Sequence, residues 1–452
     1  MAQIESRNPY NNKLLTSFEE ISDQVLFEKI EYSQKTFKVY KQISFIERKK
    51  LFTNLVQILR TNKEEYANTI SLEMGKRKIE ALSEIEKCVI TCEYYLENAE
   101  QFLADTFIES DGQKSFVAYE PLGTILAVMP WNFPFWQVFR FAIPTLFAGN
   151  VALLKHASNV PQCALLIQTI FEKAGFPIGT FQTLMISSSK VEKVIEHPIV
   201  KAVTLTGSEF SGSKVAETAG RMLKKTVLEL GGSDPFIVLE DANLEDAVQK
   251  AILSRYLNAG QTCIAAKRFL VAKKIEKAFV SLFKEKVQKL IMGNPLDEST
   301  TLAPMARIDL VKDLEKQVNY SVAKGAIIET GGKSQNAFFE ATILSNVQKG
   351  MPAYHEELFG PVAVILPFET DEEAIELAND TVYGLGASVW TDNLKRGEKL
   401  AREIEAGCVH LNEMVKSDPR LPFGGLKLSG YGRELSLLGI REFVNQKTIY
   451  VK

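Results

Sequence analysis

The sequence predicts an α/β protein of two or three domains built on parallel sheets, and three observations carry that expectation. The 452 residues exceed what one hydrophobic core supports. Residues 20–105 are rich in Lys, Glu, Leu and Ile with almost no Gly or Pro, which predicts helix. From residue 124 short apolar runs alternate with amphipathic stretches, the rhythm of βαβ units.

Taken in order, strands are expected at 124–129, 151–155, 201–206, 225–230 and 235–239, with helices at 161–174 and 212–223 between them. A second α/β block begins near 240. It holds helix 244–255, strand 269–272, helix 275–291 and strands near 326–329, 362–367 and 387–390. The final KTIYVK reads as an isolated strand that pairs outside its own domain, with another subunit as one partner. No internal repeat or low-complexity stretch is present.

Hydrophobic residues make up 46% and charged residues 24%, the range of a soluble globular protein. A net charge of −3 leaves no global footprint for nucleic acid. No apolar run reaches the ~18 residues of a membrane span. The opening MAQIESRNPYNNKLL lacks an apolar signal core, so a cytoplasmic location is expected. The five cysteines are an odd, sparse set that fits a reducing compartment. Cys88 and Cys92 lie i, i+4 on a predicted helix and are read as packed thiols. No ligand spacing for a metal is visible among the Cys and the four His, so no metal is expected.

Four motifs carry candidate chemistry. GQTC places Cys263 in a polar loop between a predicted helix and a predicted strand. Read alone it is either an inert thiol or a nucleophile. VLELGGSDP runs an apolar strand out into Glu229 and the Gly231–Gly232 pair, which is either a solvated strand end or a mobile general base. LTGS puts Gly207 and Ser208 after a strand, with Gly212 opening the next helix; this is a dinucleotide-binding turn or ordinary loop punctuation. PWNFPFW follows strand 124–129 and holds Trp131 and Asn132; it is a packed aromatic turn or the source of an amide donor for an oxyanion.

In this order along the chain the four motifs resemble the aldehyde dehydrogenase superfamily, and the resemblance runs from about residue 5 to residue 452. LLKHAS (153–158), EELFGP (356–361), YGLGASVW (383–390) and PFGGLKLSGYGRE (422–434) extend it. It implies a Rossmann-like dinucleotide-binding domain over 1–111 and 123–236. It further implies a catalytic domain over 237–428 and an oligomerisation element from 112–122 with 429–452. By the same resemblance Cys263 is the nucleophile that forms a thiohemiacetal and then a thioester. Asn132 and the Cys263 backbone N–H form the oxyanion hole, and Glu229 activates the hydrolytic water. Lys155 holds the adenosine ribose. Gly207 and Ser208 lie near the pyrophosphate, with Gly231 beside them. Glu357 and Phe359 hold the nicotinamide ribose and ring, and Trp131 lines the cofactor cleft.

Many NAD-preferring relatives carry Glu three residues after this Lys, where the chain has Ser158. A hydroxyl donates to a 2′-phosphate that a carboxylate would repel, so NADP is expected, with NAD possible. The segments 414–436 and 130–144 resemble short bacterial succinate-semialdehyde dehydrogenases. Oxidation of succinate semialdehyde is therefore expected, with other short aliphatic or ω-carboxy aldehydes as the alternative. Arg140 lies two helical turns beyond Asn132, placed to meet a substrate carboxylate. Ser417 and Arg420 belong to the loop that borders the tunnel in relatives. Two departures stand out. Leu257 replaces a second Arg found in some of these enzymes, and Ile264 and Ala265 replace a resolving Cys. A CoA-acylating relative is disfavoured by Glu229, and a catalytically retired one by the presence of Cys263, Glu229 and Asn132. Dimers or tetramers are implied by the family.

Overall fold

The computed structural model describes residues 3–452. An unanticipated antiparallel hairpin, Gln3–Arg7 with Leu14–Glu19, precedes the helical segment. That segment is four helices: Asp23–Tyr40, Phe45–Thr61, Lys63–Met74 and Lys78–Phe102. Local chemistry sets the breaks. Ser22 caps the first, Ser44 and Glu47 form a reciprocal capping box on the second, and Gly75 (φ 81°) ends the third in a left-handed turn.

The first sheet has six strands in the order Gly430–Tyr431, Lys225–Glu229, Val200–Thr206, Thr124–Met129, Val151–His156, Phe181–Thr183. All pair in parallel except the antiparallel edge strand Gly430–Tyr431. Chain order runs outward from Thr124–Met129 in one direction, then resumes at Val200–Thr206 on its other side. That reversal opens a crevice at the carboxyl ends of these two strands, where open α/β sheets bind ligands. The second sheet has seven strands and contains Asp234–Val238, Ala266–Ala272, Val362–Phe368 and Gly386–Trp390 at its centre. Its strands are apolar and buried on both faces, as parallel sheets require.

Three boundaries differ from expectation. Strand Asp234–Val238 belongs to the second sheet, so the change of sheet falls between residues 229 and 234 and not at 236/237. Residues 429–452 are not one element: Gly430–Tyr431 extends the first sheet. Only Val444–Val451 pairs with Lys114–Pro121, in a three-stranded sheet of the same chain. The helix expected from 212 begins at Glu209 with Ser208 as its cap; Gly212 lies in its first turn because Leu230 packs where a Cβ would stand.

A buried ion pair joins the helical segment to the crevice. Lys76 and Glu84, both fully buried, are salt-bridged. The other oxygen of Glu84 accepts from the N–H groups of Phe135 (2.8 Å) and Trp136 (2.9 Å). These open helix Trp136–Phe147, which is buried along its whole length. A carboxylate at that N-terminus meets unpaired donors and the favourable end of the dipole. Removing it strands the Lys76 ammonium in the core. Glu84→Ala is therefore expected to lower unfolding free energy by about 3–5 kcal/mol in a urea titration; a loss under about 1 kcal/mol would contradict this account.

Candidate active site

The crevice holds a cavity of about 260 Å³ lined by Trp131, Asn132, Gln137, Gly207, Ser208, Gly231, Cys263, Glu357 and Phe359, among others. A cleft of about 510 Å³ between Tyr10, Gly293, Lys333 and Phe338 is larger but contains no nucleophile. Eight of the residues singled out in the sequence thus share one space. Each comes from a loop at the end of a strand. Asn132 follows Thr124–Met129, Gly207 follows Val200–Thr206, Gly231 follows Lys225–Glu229, and Cys263 precedes Ala266–Ala272.

The nucleophile loop is held in an unusual backbone conformation. Asn258 (φ 54°), Ala259 (φ 52°) and Gly260 (φ 74°) are consecutive left-handed residues. Such conformations cost energy and persist only where surroundings impose them. Here a Cβ on residue 260 would collide with the Gly360 carbonyl, so the glycine is obligatory. Asn258 Nδ2 donates to the Asn132 carbonyl at 2.8 Å. Asn132 Nδ2 donates to the Gln261 carbonyl at 3.0 Å. Gln261 returns a bond to the Asn258 carbonyl (3.0 Å) and accepts from Ala306 N–H (2.9 Å). Asn132 has one further N–H to offer, and the residue lines the same cavity as Cys263.

Several residues that sequence reasoning did not single out complete the site. Lys267, one helical-turn spacing beyond Cys263, donates to the carbonyls of Thr262 (3.1 Å) and Cys263 (2.8 Å) and pairs with Glu357 at 3.0 Å. The same Glu357 oxygen accepts from Gly232 N–H at 3.1 Å. Arg255 donates to the carbonyls of Leu358 and Gly360, binding the EELFGP loop to the nucleophile loop. Ser429 donates to the Gly231 carbonyl at 2.6 Å. Buried His156 bonds the Pro134 carbonyl through Nε2 (2.9 Å) and accepts Ala157 N–H at Nδ1, which fixes the tautomer. Burial holds its pKa down at about 4, so the ring is a neutral brace. Their signal in the sequence was faint, since each acts largely on backbone atoms, which no residue pattern reports.

Two groups are electrostatically distinct. Burial pushes the Cys263 thiol up to about 11, with Arg140 and Lys267 pulling the other way. The resting residue is a thiol. Glu229 is 2% exposed, and neither of its carboxyl oxygens has a hydrogen-bond partner among the described residues. Burial first, then repulsion from Glu434, raises its pKa well above the carboxylate range.

Other expected residues lie elsewhere. Lys155 is buried at the end of Val151–His156, and burial lowers its pKa with no charged neighbour acting against it. Exposed Ser158 borders a small cleft whose other lining residues, including Ile4, Ala157 and Ile186, bring no carboxylate. Two expectations need correction. Arg140 is on the anticipated helix, but Asn132 lies in the turn before that helix begins at Trp136, and the guanidinium is not a free fork. It is salt-bridged to buried Glu434, donates to Thr206 Oγ1 (3.4 Å) and lies 4.8 Å from the Phe423 ring centroid. Arg420 is on the surface, gripped by Asp418 through two bonds (2.9 and 2.5 Å), because a turn two residues long brings them together. Ser417 accepts from Lys87 Nζ at 2.6 Å.

The aldehyde dehydrogenase family profile matches residues 1–449. A probable NADP+ succinate-semialdehyde dehydrogenase of Synechocystis sp. is 47% identical over 451 residues, 99% of each chain. An NADP+ succinate-semialdehyde dehydrogenase of Mycobacterium tuberculosis is 44% identical over 454 residues, also 99% of each. The crystal structure of succinic semialdehyde dehydrogenase from Streptococcus pyogenes, in complex with NADP+, superposes with a TM-score of 0.97 at 38% identity, covering 99% of both chains.

Two measurements check the electrostatics. Iodoacetamide labelling of Cys263 should accelerate continuously between about pH 7 and about pH 10; a plateau near neutrality would contradict a thiol held high. For Glu229, the unfolded chain ionises near about 4.3 while the folded chain keeps its proton to higher pH, so the wild type loses stability as pH rises through that window. Glu229→Gln has no such loss. Its melting temperature relative to wild type should rise from about pH 5 to about pH 8, and a pH-independent difference would contradict the raised pKa.

Proposed function

The chain belongs to the aldehyde dehydrogenase family, and from that premise we propose that it oxidises succinate semialdehyde to succinate with NADP. The observation that carries this reading is the single cavity shared by Cys263, Asn132 and the Gly207–Ser208 turn. The names of the relatives supply the substrate class and the cofactor.

The residues fit a dinucleotide. Lys155 is a buried ammonium without an ion-pair partner, suited to a ribose or phosphate oxygen. The Ser208-capped helix Glu209–Arg221 points its free N–H groups toward the cleft, an anion-binding arrangement. Gly231 leaves space against Glu357, since a Cβ there would lie 2.6 Å from its carboxylate. When bound, the nicotinamide accepts the hydride.

The chain's own groups carry the remaining steps. The Cys263 Sγ proton passes to ionised Glu229, directly or through a water, as Sγ attacks the aldehyde carbon and forms a C–S bond while the carbonyl electron pair moves to oxygen. The Cys263 backbone N–H and the free N–H of Asn132 donate to the developing oxyanion, which Asn258 and Gln261 have positioned in advance. After oxidation the thioester remains on Sγ. Glu229, once ionised, takes a proton from water, and the resulting attack releases the acid and the thiol. Its raised pKa makes it a stronger base, at the cost of the fraction that is ionised near neutrality. The three-stranded sheet containing Lys114–Pro121 and Val444–Val451 is the surface we assign to subunit assembly.

A comparison of kcat/KM for succinate semialdehyde and butanal, with each cofactor, tests the reading. Succinate semialdehyde with NADP should be the preferred pair. Ser158→Glu should move the preference toward NAD by about tenfold or more through repulsion of the 2′-phosphate. Equal rates for both aldehydes would remove the substrate assignment, and a native preference for NAD would remove the cofactor assignment.

A further inference from the structure

Lys267 stands behind the nucleophile loop, and most of its bonds go to backbone atoms. It is 1% exposed and is not among the residues that line the cavity holding Cys263. Its Nζ donates to the carbonyls of Thr262 (3.1 Å) and Cys263 (2.8 Å) and is paired with Glu357 Oε1 at 3.0 Å. A lysine ammonium carries three donors, so each contact has its own proton. The Thr262 carbonyl also accepts from Ala265 N–H at 3.1 Å, which occupies its second lone pair and closes the turn 262–265. Glu357 Oε1 accepts in addition from Gly232 N–H at 3.1 Å. Gly232 in turn abuts the Cys263 carbonyl: a Cβ there would lie 2.8 Å from its oxygen. Lys267 therefore joins the nucleophile loop to the segment that follows Glu229.

One peptide unit makes this grip consequential. The Thr262 carbonyl and the Cys263 N–H belong to the same planar trans peptide and lie on opposite edges of it. Holding the oxygen from two sides therefore fixes the direction of the N–H. That N–H donates to no acceptor among the described residues, and Cys263 lines the cavity. Backbone donors are rarely left unpaired unless something else accepts from them. A free donor at a cavity wall, on a peptide whose oxygen is held from behind, is preorganised for one incoming oxygen. Glu357 offsets the charge of Lys267, so the effect of the ammonium on the loop is chiefly one of direction.

We propose that Lys267 is a positioning residue: anchored by Glu357, it locks the Thr262–Cys263 peptide so that the Cys263 N–H meets the oxyanion formed on the substrate carbonyl. This rests on the oxyanion role proposed above for that N–H and names the side chain that sets its direction. Lys267 acts on the substrate only through the peptide that it holds. Its bonds to consecutive carbonyls also keep the nucleophile loop from rotating when charge develops at its other edge.

Two reagents separate direction from thiol reactivity, and neither needs the cofactor. With p-nitrophenyl acetate, Sγ adds to the ester carbonyl, an oxyanion forms and collapses, and nitrophenolate leaves. Iodoacetamide alkylates the same thiol by loss of iodide, with no oxyanion at the attacked carbon. The thiolate fraction enters both rates, so the ratio of acylation to alkylation reports the oxyanion donors. In Lys267→Met this ratio, taken from first-turnover nitrophenolate release, should fall about 10- to 100-fold. Lys267→Arg, which keeps donors and charge, should recover part of it. An unchanged ratio in Lys267→Met that shows a cooperative thermal melt overturns the role. If that variant does not fold, Lys267→Met combined with Glu357→Gln removes the stranded carboxylate and is read in the same way. If neither folds, Glu357→Gln decides: releasing the ammonium from its anchor should lower the ratio several-fold, and no change overturns the proposal. Asn132→Ala tests the reading beneath. A ratio lowered there but not in Lys267→Met refutes Lys267 alone, whereas a ratio unchanged in both refutes the oxyanion hole itself.

Discussion

The site depends on one knot of hydrogen bonds between two sheets. Asn132 leaves the first sheet, and Asn258 and Gln261 precede a strand of the second. The Asn258 amide holds the Asn132 carbonyl, and the Asn132 amide holds the Gln261 carbonyl. Three left-handed residues in a row would relax without those bonds. The same bonds fix the Asn132 side chain in the cavity that it shares with Cys263. The oxyanion role proposed for Asn132 depends on that arrangement. Glu84 and His156 secure the other end of the PWNFPFW turn through its backbone N–H and carbonyl groups.

Burial supplies the chemistry that the residue types alone do not. A cysteine in water is partly thiolate at mildly alkaline pH, whereas Cys263 is held as thiol until a substrate and its neighbours reorganise the charge. Glu229 shares a desolvated region with Glu434, and two carboxylates cannot both ionise cheaply there. Arg140 lowers both, which is why its first partner is internal.

Much of this was legible in the sequence. The alternation of apolar runs located the central strands to within a few residues, because parallel strands buried on both faces are apolar throughout. The cavity-lining set Trp131, Asn132, Gly207, Ser208, Cys263, Glu357 and Phe359 was found from motifs and from the family resemblance they carry, since these residues stand in short loops at strand ends. The hairpin Gln3–Arg7 with Leu14–Glu19 was missed because its strands are mostly exposed and carry no apolar run. Arg140 shows the limit more sharply. The sequence placed it on a helix, but Asn132 lies outside that helix, and the partner of Arg140, Glu434, lies 294 positions away (434 − 140), where no local pattern reports it. Arg420 failed for the opposite reason: Asp418 is so close in sequence that a local turn captures it before any tunnel can.

In the proposed reaction Cys263 carries the acyl group and Glu229 brings the water that removes it. Intact-protein mass spectrometry of Glu229→Gln after mixing with succinate semialdehyde and NADP examines both halves at once. The expected result is a stable increase of one succinyl group, located on Cys263 by peptide mapping and absent from Cys263→Ala. Rapid turnover without an accumulated adduct, or an adduct on another residue, would contradict it.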